Sequence, residues 1–305
     1  MEYRTLGRTG LRVSVIGLGT MVHAGHFGPM KDEESLGAID AALELGVNFI
    51  DTSDAYGAGY SEKLLGKALK GRRDKVILAT KGGNVMVGPN RGKRNFAVDY
   101  IDRVMHESLE RLQTDYVDLY QLHNPTVETI RSDEIWELLE RRKKEGKIRH
   151  YGVSINSNEE ATATIEGGRA ATIQIEYNLL DRGPEKFFSQ AQKAGVGVIV
   201  RVPLRRGLLT GKLKPEDQQR FQGEDVRARN FAGDIFKQQL EKVERLRFLE
   251  KPGRSLAQAA IAFCFAHPAV GVVIPGGRNA RQVRENAAAA NVRLTEDELK
   301  KIAAV

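Results

Sequence analysis

Eight short, mostly apolar runs alternate with amphipathic stretches of helical length from about residue 15 to the end of this 305-residue chain. No other feature narrows the possible folds so far. The runs are Ile16 to Leu18, Asn48 to Asp51, Val76 to Lys81, Tyr116 to Leu122, Ile148 to Val153, Thr172 to Ile175, Gly197 to Val202 and Val270 to Ile274. They lack a regular polar alternation, as expected of parallel strands covered on both faces. A parallel pair needs a crossover, most often a helix. The segments between the runs supply it: Asp32 to Leu45, Ser61 to Leu69, Asp99 to Leu112, Asp133 to Glu145, Asn158 to Glu166, Glu185 to Ala194, Ser255 to Ala266 and Ala280 to Ala290. Eight such units predict an α/β fold of the (β/α)8 TIM barrel type. Gly46, Gly146 and Gly195 follow helical stretches and suit a left-handed exit toward the next strand.

Two segments fall outside the repeat. Tyr3 to Leu6 and Val13 to Ser14, joined through Arg8-Thr9-Gly10, read as a β-hairpin that plugs the bottom of the barrel. After the seventh strand, Leu204 to about Gly233 is far longer than the usual βα loop of about 2–6 residues, and an extra helix, Ile235 to Leu249, follows it. Loops of that length are functional or disordered, and this one leaves the barrel mouth. No break in composition divides the chain, so residues 1–305 are expected to form a single barrel domain.

Composition removes several function classes. Hydrophobic residues at 41% and charged residues at 29% are ordinary for a globular protein and exclude a fibrous or disordered one. No apolar window approaches the roughly 18 residues of a membrane span, and Met1-Glu2-Tyr3-Arg4 lacks the apolar core of a secretory signal, so a cytoplasmic protein with no membrane partner is expected. Cys264 is the one cysteine; it lies in an Ala-rich helical stretch, reads as a small buried hydrophobe, and leaves no cysteine-based metal site. The net charge of +7 is spread over helix faces such as Arg141-Arg142-Lys143-Lys144, beside acidic residues, which argues against a nucleic-acid partner. A phosphate-bearing cofactor would gain from that field.

The chemistry concentrates at strand ends. Lys81 terminates one apolar run, Asp51 another, with Tyr56 just beyond it, and His123 follows Leu122. In a parallel barrel these ends share the C-terminal rim, where catalytic groups gather. A carboxylate, a phenol, an ammonium and an imidazole at one mouth make a proton-transfer site. Singly, each has a structural reading: an Asp caps a turn, a Lys reaches to solvent, a Tyr packs.

Asn48-Phe49-Ile50-Asp51-Thr52-Ser53-Asp54-Ala55-Tyr56-Gly57, Thr80-Lys81, Asp118-Leu119-Tyr120-Gln121-Leu122-His123, Gly152-Val153-Ser154, Gln174-Ile175-Glu176-Tyr177-Asn178 and Gly207-Leu208-Leu209-Thr210-Gly211-Lys212 stand in one order. With Gly17-Leu18-Gly19-Thr20 before them, the set resembles the aldo-keto reductases over nearly the whole chain. The resemblance implies catalysis by Asp51, Tyr56, Lys81 and His123: Tyr56 gives its proton to a carbonyl oxygen while a nicotinamide delivers hydride, Lys81 stabilises the phenolate, Asp51 holds Lys81, and His123 orients the substrate oxygen. No metal is implied. It also implies contacts to cofactor by Gly19, Thr20, Asp51, Ser154, Asn156, Gln174, Pro203, Leu204, Gly207 and Lys212, with Ser154, Asn156 and Gln174 on the nicotinamide carboxamide. Asn156 departs from the usual Ser-Asn pair, because Ile155 intervenes, and a capping role for it is equally open.

Two further departures bear on the cofactor. Arg201 stands where many members stack a tyrosine on the nicotinamide; it can lie against that ring, disfavouring its oxidised, cationic form, or instead contact a phosphate or a nearby carboxylate. At the adenosine end, Pro275, Gly276, Gly277, Arg278, Gln282, Glu285 and Asn286 match the family's binding segment. Some relatives carry Lys at the place of Gly276 and an adenine-stacking Arg at that of Gln282. Arg278 remains to grip a 2′-phosphate, so NADPH/NADP+ is expected, with NADH possible. The substrate is expected to be a small carbonyl compound, walled by Met21 to Met30, Gly82 to Phe96 and Asn124 to Arg131. The leading expectation is NADPH-dependent reduction of aldehydes and ketones. An NAD(P)-dependent sugar or polyol dehydrogenase running the same four residues in reverse is the alternative. The chain also resembles the potassium-channel β-subunits, which sense cofactor as binding partners. Substrate, direction and oligomeric state are not legible at this stage.

Overall fold

The computed structural model describes residues 1–223 and 225–305. A two-stranded antiparallel hairpin, β1 (Tyr3–Thr5) and β2 (Arg12–Ser14), precedes eight strands: β3 (Leu18–Gly19), β4 (Phe49–Asp51), β5 (Ile77–Gly82), β6 (Val117–His123), β7 (Ile148–Ser154), β8 (Thr172–Glu176), β9 (Gly197–Arg201) and β10 (Val270–Ile274). These eight pair in sequence order, all parallel, and the bridges Ile16 to Val273 and Gly19 to Gly276 close the ring. The fold is the expected (β/α)8 barrel. Strand one is shorter than Ile16 to Leu18 because its pairing is divided: Gly17 N–H donates to Val273 O on one side, whereas Leu18 and Gly19 pair with β4 on the other. Strand seven ends at Arg201 because Val202 turns to a left-handed φ of 56°.

Two layers of core follow from the period of two along a strand. Outward residues such as Ile50, Leu78, Leu122 and Ile173 pack beneath the helices. Inward residues Phe49, Ala79, Leu119, Ile199, Val272 and Ile274 fill the barrel with Leu6 and Val13 of the hairpin segment, all buried. The hairpin is therefore the floor. A Cβ on Gly271 or Gly197 would lie 2.7 or 2.8 Å from Leu6 Cδ1, so the missing side chains at those two positions are what admit Leu6. Two residues above this apolar layer, the same inward face carries Asp51, Lys81, Gln121, Gln174 and Arg201; His123 stands one step higher.

The segment after β9 is organised. It carries short turns at Arg205–Thr210 and Pro215–Arg220 and a helix at Val226–Asn230. Phe221, Phe231 and Phe236 pack ring against ring, with centroids 5.2–5.8 Å apart, and tie it to the helix Ile235–Arg245. The extra helix is shorter than Ile235 to Leu249, because a separate turn, Arg247–Leu249, follows it. Cys264 is fully buried in the helix Leu256–Ala266, where burial pushes its thiol up and away from reactivity. Among the described residues no helix is long and apolar enough to cross a membrane, and no cluster of His, Cys, Asp and Glu could hold a metal ion.

Candidate active site

Lys81 is wholly buried, and its ammonium has three partners: Asp51 Oδ1 at 2.5 Å, Thr52 O at 2.8 Å and the Tyr56 hydroxyl at 3.1 Å. Burial by itself would drive the proton off; Asp51 and Tyr56 outweigh it and hold Lys81 above the usual lysine value. Lys81 is thus a fixed cation. The second oxygen of Asp51 accepts from Gln174 Nε2 at 2.8 Å and Gln121 Nε2 at 3.2 Å. Gln121 was not singled out from sequence, although it precedes His123 by two and so shares its inward face. Tyr56 lies on the turn after β4, where Gly57 takes φ 61°, and its ring meets His123 edge-on with centroids 6.3 Å apart. Burial first, then Lys81, Arg201 and Arg94, push His123 well below the ordinary histidine value, so its ring is neutral.

Asp51, Tyr56 and His123 stand at the base of a cavity of about 860 Å³. Of the residues expected to meet cofactor, Gly19, Asn156, Arg201, Pro203, Leu204, Gly207, Lys212, Pro275, Gly276, Arg278, Gln282, Glu285 and Asn286 line it. Thr20, Ser154, Gln174 and Gly277 lie behind that wall. Thr20 donates its hydroxyl to Asp51 O, and Gly277 packs under Val283. Gln174 turns its amide nitrogen to Asp51; its Oε1 and Ser154 Oγ are buried with no protein partner. Two orphaned oxygens, one of them on the side chain that binds Asp51, fit an amide donor arriving from a ligand.

Arg201 makes a carboxylate contact. Its guanidinium donates to Asn156 Oδ1 at 2.8 Å, Ile155 O at 3.1 Å and Glu176 Oε2 at 3.4 Å. Glu176 also binds Arg206 through both oxygens, at 2.9 and 3.0 Å, and pairs with Arg205. Burial opposes its charge, but Arg206, Arg201 and Arg205 hold its carboxyl below the usual range. One anion thus gathers three cations at the wall. Val202, Arg205 and Arg206 all have left-handed φ, at 56°, 46° and 56°. Such backbone costs about 1–3 kcal/mol per residue, and the ion pairs to Glu176 offset it.

Across the mouth, the loop after β3 meets the long segment after β9. Val226 N–H donates to His26 O at 3.1 Å, and Arg227 lies over the Phe27 ring. Arg278 donates to Phe27 O and Pro29 O, both at 2.6 Å, so its two terminal nitrogens fasten this bridge. A Cβ at Gly276 would lie 2.7 Å from Val22 Cγ1, so a lysine there would have to displace Val22. Gln282 caps the Arg278 backbone N–H at 2.9 Å in place of presenting a stacking guanidinium. Asn84, Met86 and Arg91 of the third loop complete the wall.

Residues 15–305 match the model of the aldo/keto reductase family. The oxidoreductase YqkF of Bacillus subtilis is 36% identical over 305 residues, covering 98% of this chain and 95% of that protein. Among solved structures, the holo form of the aldo-keto reductase AKR11C1 from Bacillus halodurans aligns with a TM-score of 0.85 at 35% identity, covering 100% and 96% of the two chains. The glycerol dehydrogenase AKR11B4 from Gluconobacter oxydans aligns with 0.82 at 32%, covering 96% and 91%.

Proposed function

Because the chain belongs to the aldo-keto reductase family, we propose that it reduces aldehydes and ketones to alcohols with NADPH, using Tyr56 as proton donor. The observation that carries this reading is the bonding of one buried cation, Lys81, to both Asp51 and the Tyr56 hydroxyl. When bound, the reduced nicotinamide supplies the hydride. The chain's own residues handle the proton. Tyr56 gives its hydroxyl hydrogen to the developing alkoxide, and the ammonium 3.1 Å away lowers the energy of the phenolate left behind. Asp51, held by Gln121 and Gln174, keeps that ammonium charged and aimed. His123, kept neutral, offers its cavity-facing ring nitrogen to the substrate oxygen.

The cofactor fits the residues present. Ser154 Oγ and Gln174 Oε1, buried just behind the cavity wall without a protein partner, are oxygens suited to a carboxamide. Gly207 and Lys212 line the same cavity as Gly276, Arg278, Gln282, Glu285 and Asn286, the residues proposed for adenosine. Arg278, with Arg281 beside it, supplies the positive charge that favours a 2′-phosphate and hence NADPH.

A second reading, oxidation of a polyol or sugar with Tyr56 as base, draws support from the similarity to a glycerol dehydrogenase. Initial rates over a panel of aldehydes, ketones, polyols and sugars, with both dinucleotides in both directions, separate the two. Faster reduction with NADPH supports the first reading. Turnover confined to alcohol oxidation overturns it.

A further inference from the structure

Behind His123, away from the cavity, lies a buried polar chain to which the mechanism above gives no role. His123 Nδ1 is 3.1 Å from Ser53 Oγ, and Ser53 Oγ is 3.0 Å from Asp54 Oδ1. Ser53 and Asp54 are both buried. The Ala55 N–H already donates to Ser53 Oγ, and Lys81 O stands 3.5 Å from it. A serine hydroxyl has a single hydrogen to give, so the direction of the chain His123, Ser53, Asp54 is set at its far end.

We propose that Asp54, acting through Ser53, decides which ring nitrogen of His123 bears its hydrogen, and thereby whether His123 can donate to the substrate oxygen. The proposal rests on the carbonyl-reductase reading for its kinetic consequence and on geometry alone for its structural one. With Asp54 ionised, Ser53 donates to the carboxylate and accepts from His123 Nδ1–H. His123 Nε2 then carries no hydrogen and repels a carbonyl oxygen. With Asp54 protonated, the acid O–H donates to Ser53 Oγ, Ser53 donates to His123 Nδ1, and the hydrogen of the neutral ring sits on Nε2, facing the cavity. The two states differ by one proton. It enters at Nε2 from the cavity; the Nδ1 hydrogen passes to Ser53, and the Ser53 hydrogen passes to Asp54. No other atom is exchanged.

The surroundings of Asp54 poise this choice near neutrality. Glu62, from the helix Tyr60–Ala68, faces it with like charge; Arg111 and Tyr100 come from the helix Val98–Leu112, and Tyr120 from β6. Glu62 is itself held by Thr80 Oγ1 at 2.5 Å and Arg111 Nε at 2.7 Å. Burial, then Glu62, raise the Asp54 carboxyl to about 7, against the opposing pull of Ser53, Arg111 and the Ala55 N–H. His123 cannot answer by becoming charged, because burial and then Lys81 hold it neutral.

Asp54→Asn removes the titratable group at the far end, so whichever amide atom faces Ser53, the direction of the chain no longer changes with pH. Two measurements test the proposal, one of which needs no turnover. In the imidazole nitrogen NMR spectrum of histidine-labelled protein, with His123 identified by its loss in His123→Asn, the wild type should exchange Nε2–H for Nδ1–H as pH rises through about 7, while Asp54→Asn keeps one tautomer throughout. In carbonyl reduction, wild-type kcat/KM should fall about tenfold from pH 6 to pH 8.5, whereas the fall in Asp54→Asn should be under about threefold. Ser53→Ala cuts the chain and should likewise lose the Asp54-dependent change in both readouts. A wild-type tautomer that does not change with pH, or one that changes identically in Asp54→Asn and Ser53→Ala, overturns the proposal even if no carbonyl substrate is found. An alkaline fall of equal size in all three proteins overturns its kinetic half.

Discussion

The losses from removing Lys81 and Asp51 one at a time should sum to more than the loss from removing both. The two charges are 2.5 Å apart, with side chains 0% and 1% exposed. At an effective dielectric of about 20 their attraction is about 7 kcal/mol, most of which is consumed by desolvating two ions at several kcal/mol each. The pair is therefore worth little against a neutral pair of similar shape, but either ion left alone is costly. Asp51→Asn strands an ammonium with only Thr52 O and Tyr56 for company and should lose about 3–5 kcal/mol. Lys81→Met leaves the carboxylate with Gln121 and Gln174, two donors that soften the loss to about 2–4 kcal/mol. Asp51→Asn combined with Lys81→Met should recover at least about 2 kcal/mol relative to the sum of the single losses. Urea unfolding of the four proteins, followed by far-ultraviolet circular dichroism, gives the cycle. Additivity within about 0.5 kcal/mol would refute the account of Lys81 as a cation fixed by Asp51.

Tyr56→Phe deletes the proton donor but no charged partner of Lys81, so dinucleotide affinity should stay within about threefold while kcat falls by a factor on the order of 10² or more; fluorescence titration and single-turnover rates check both halves. Arg201→Tyr removes a positive charge that Glu176 shares with Arg205 and Arg206. The oxidised dinucleotide should gain affinity over the reduced one by about three- to tenfold, and an unchanged ratio of the two dissociation constants sinks the idea. The Asp54 carboxyl is raised in the folded state to about 7, so its contribution to stability is complete at acid pH, below the unfolded value, and is lost as pH climbs through 7. Asp54→Asn should therefore gain on the wild type by about 2–4 kcal/mol between pH 4 and pH 8, measured by denaturant unfolding at several pH values; a constant difference between the two proteins would count against it.

The barrel was legible because parallel strands covered on both faces leave unmistakable apolar runs, and because polar groups ending them, such as Asp51 and Lys81, point to the rim. What escaped depends on which way a side chain turns. Nothing in the sequence says that the amide nitrogen of Gln174 binds Asp51 and leaves its Oε1 unpaired. Ser53 and Asp54 looked like any pair in a turn, since nothing in a linear run says that a hydroxyl will fold back to within 3.1 Å of a histidine seventy residues on. Glu176 gave no sign of drawing together Arg201, Arg205 and Arg206, because the left-handed backbone that brings two of them round follows no glycine or asparagine signal. Gly276, by contrast, reads as a departure from its relatives, and Val22 packs against it where a side chain would begin.

The hairpin beneath the barrel also sets an order of assembly. Arg4 donates to Phe265 O and Val270 O, and Leu6 sits against Gly197 and Gly271, so the hairpin segment is completed by residues that follow it by some 190 to 270 positions. A contact spanning some 260 positions closes a long loop, and its entropy must be met before the contact rewards it. As the chain leaves the ribosome, Leu6 waits for β10, and the barrel gains its floor only as the ring closes.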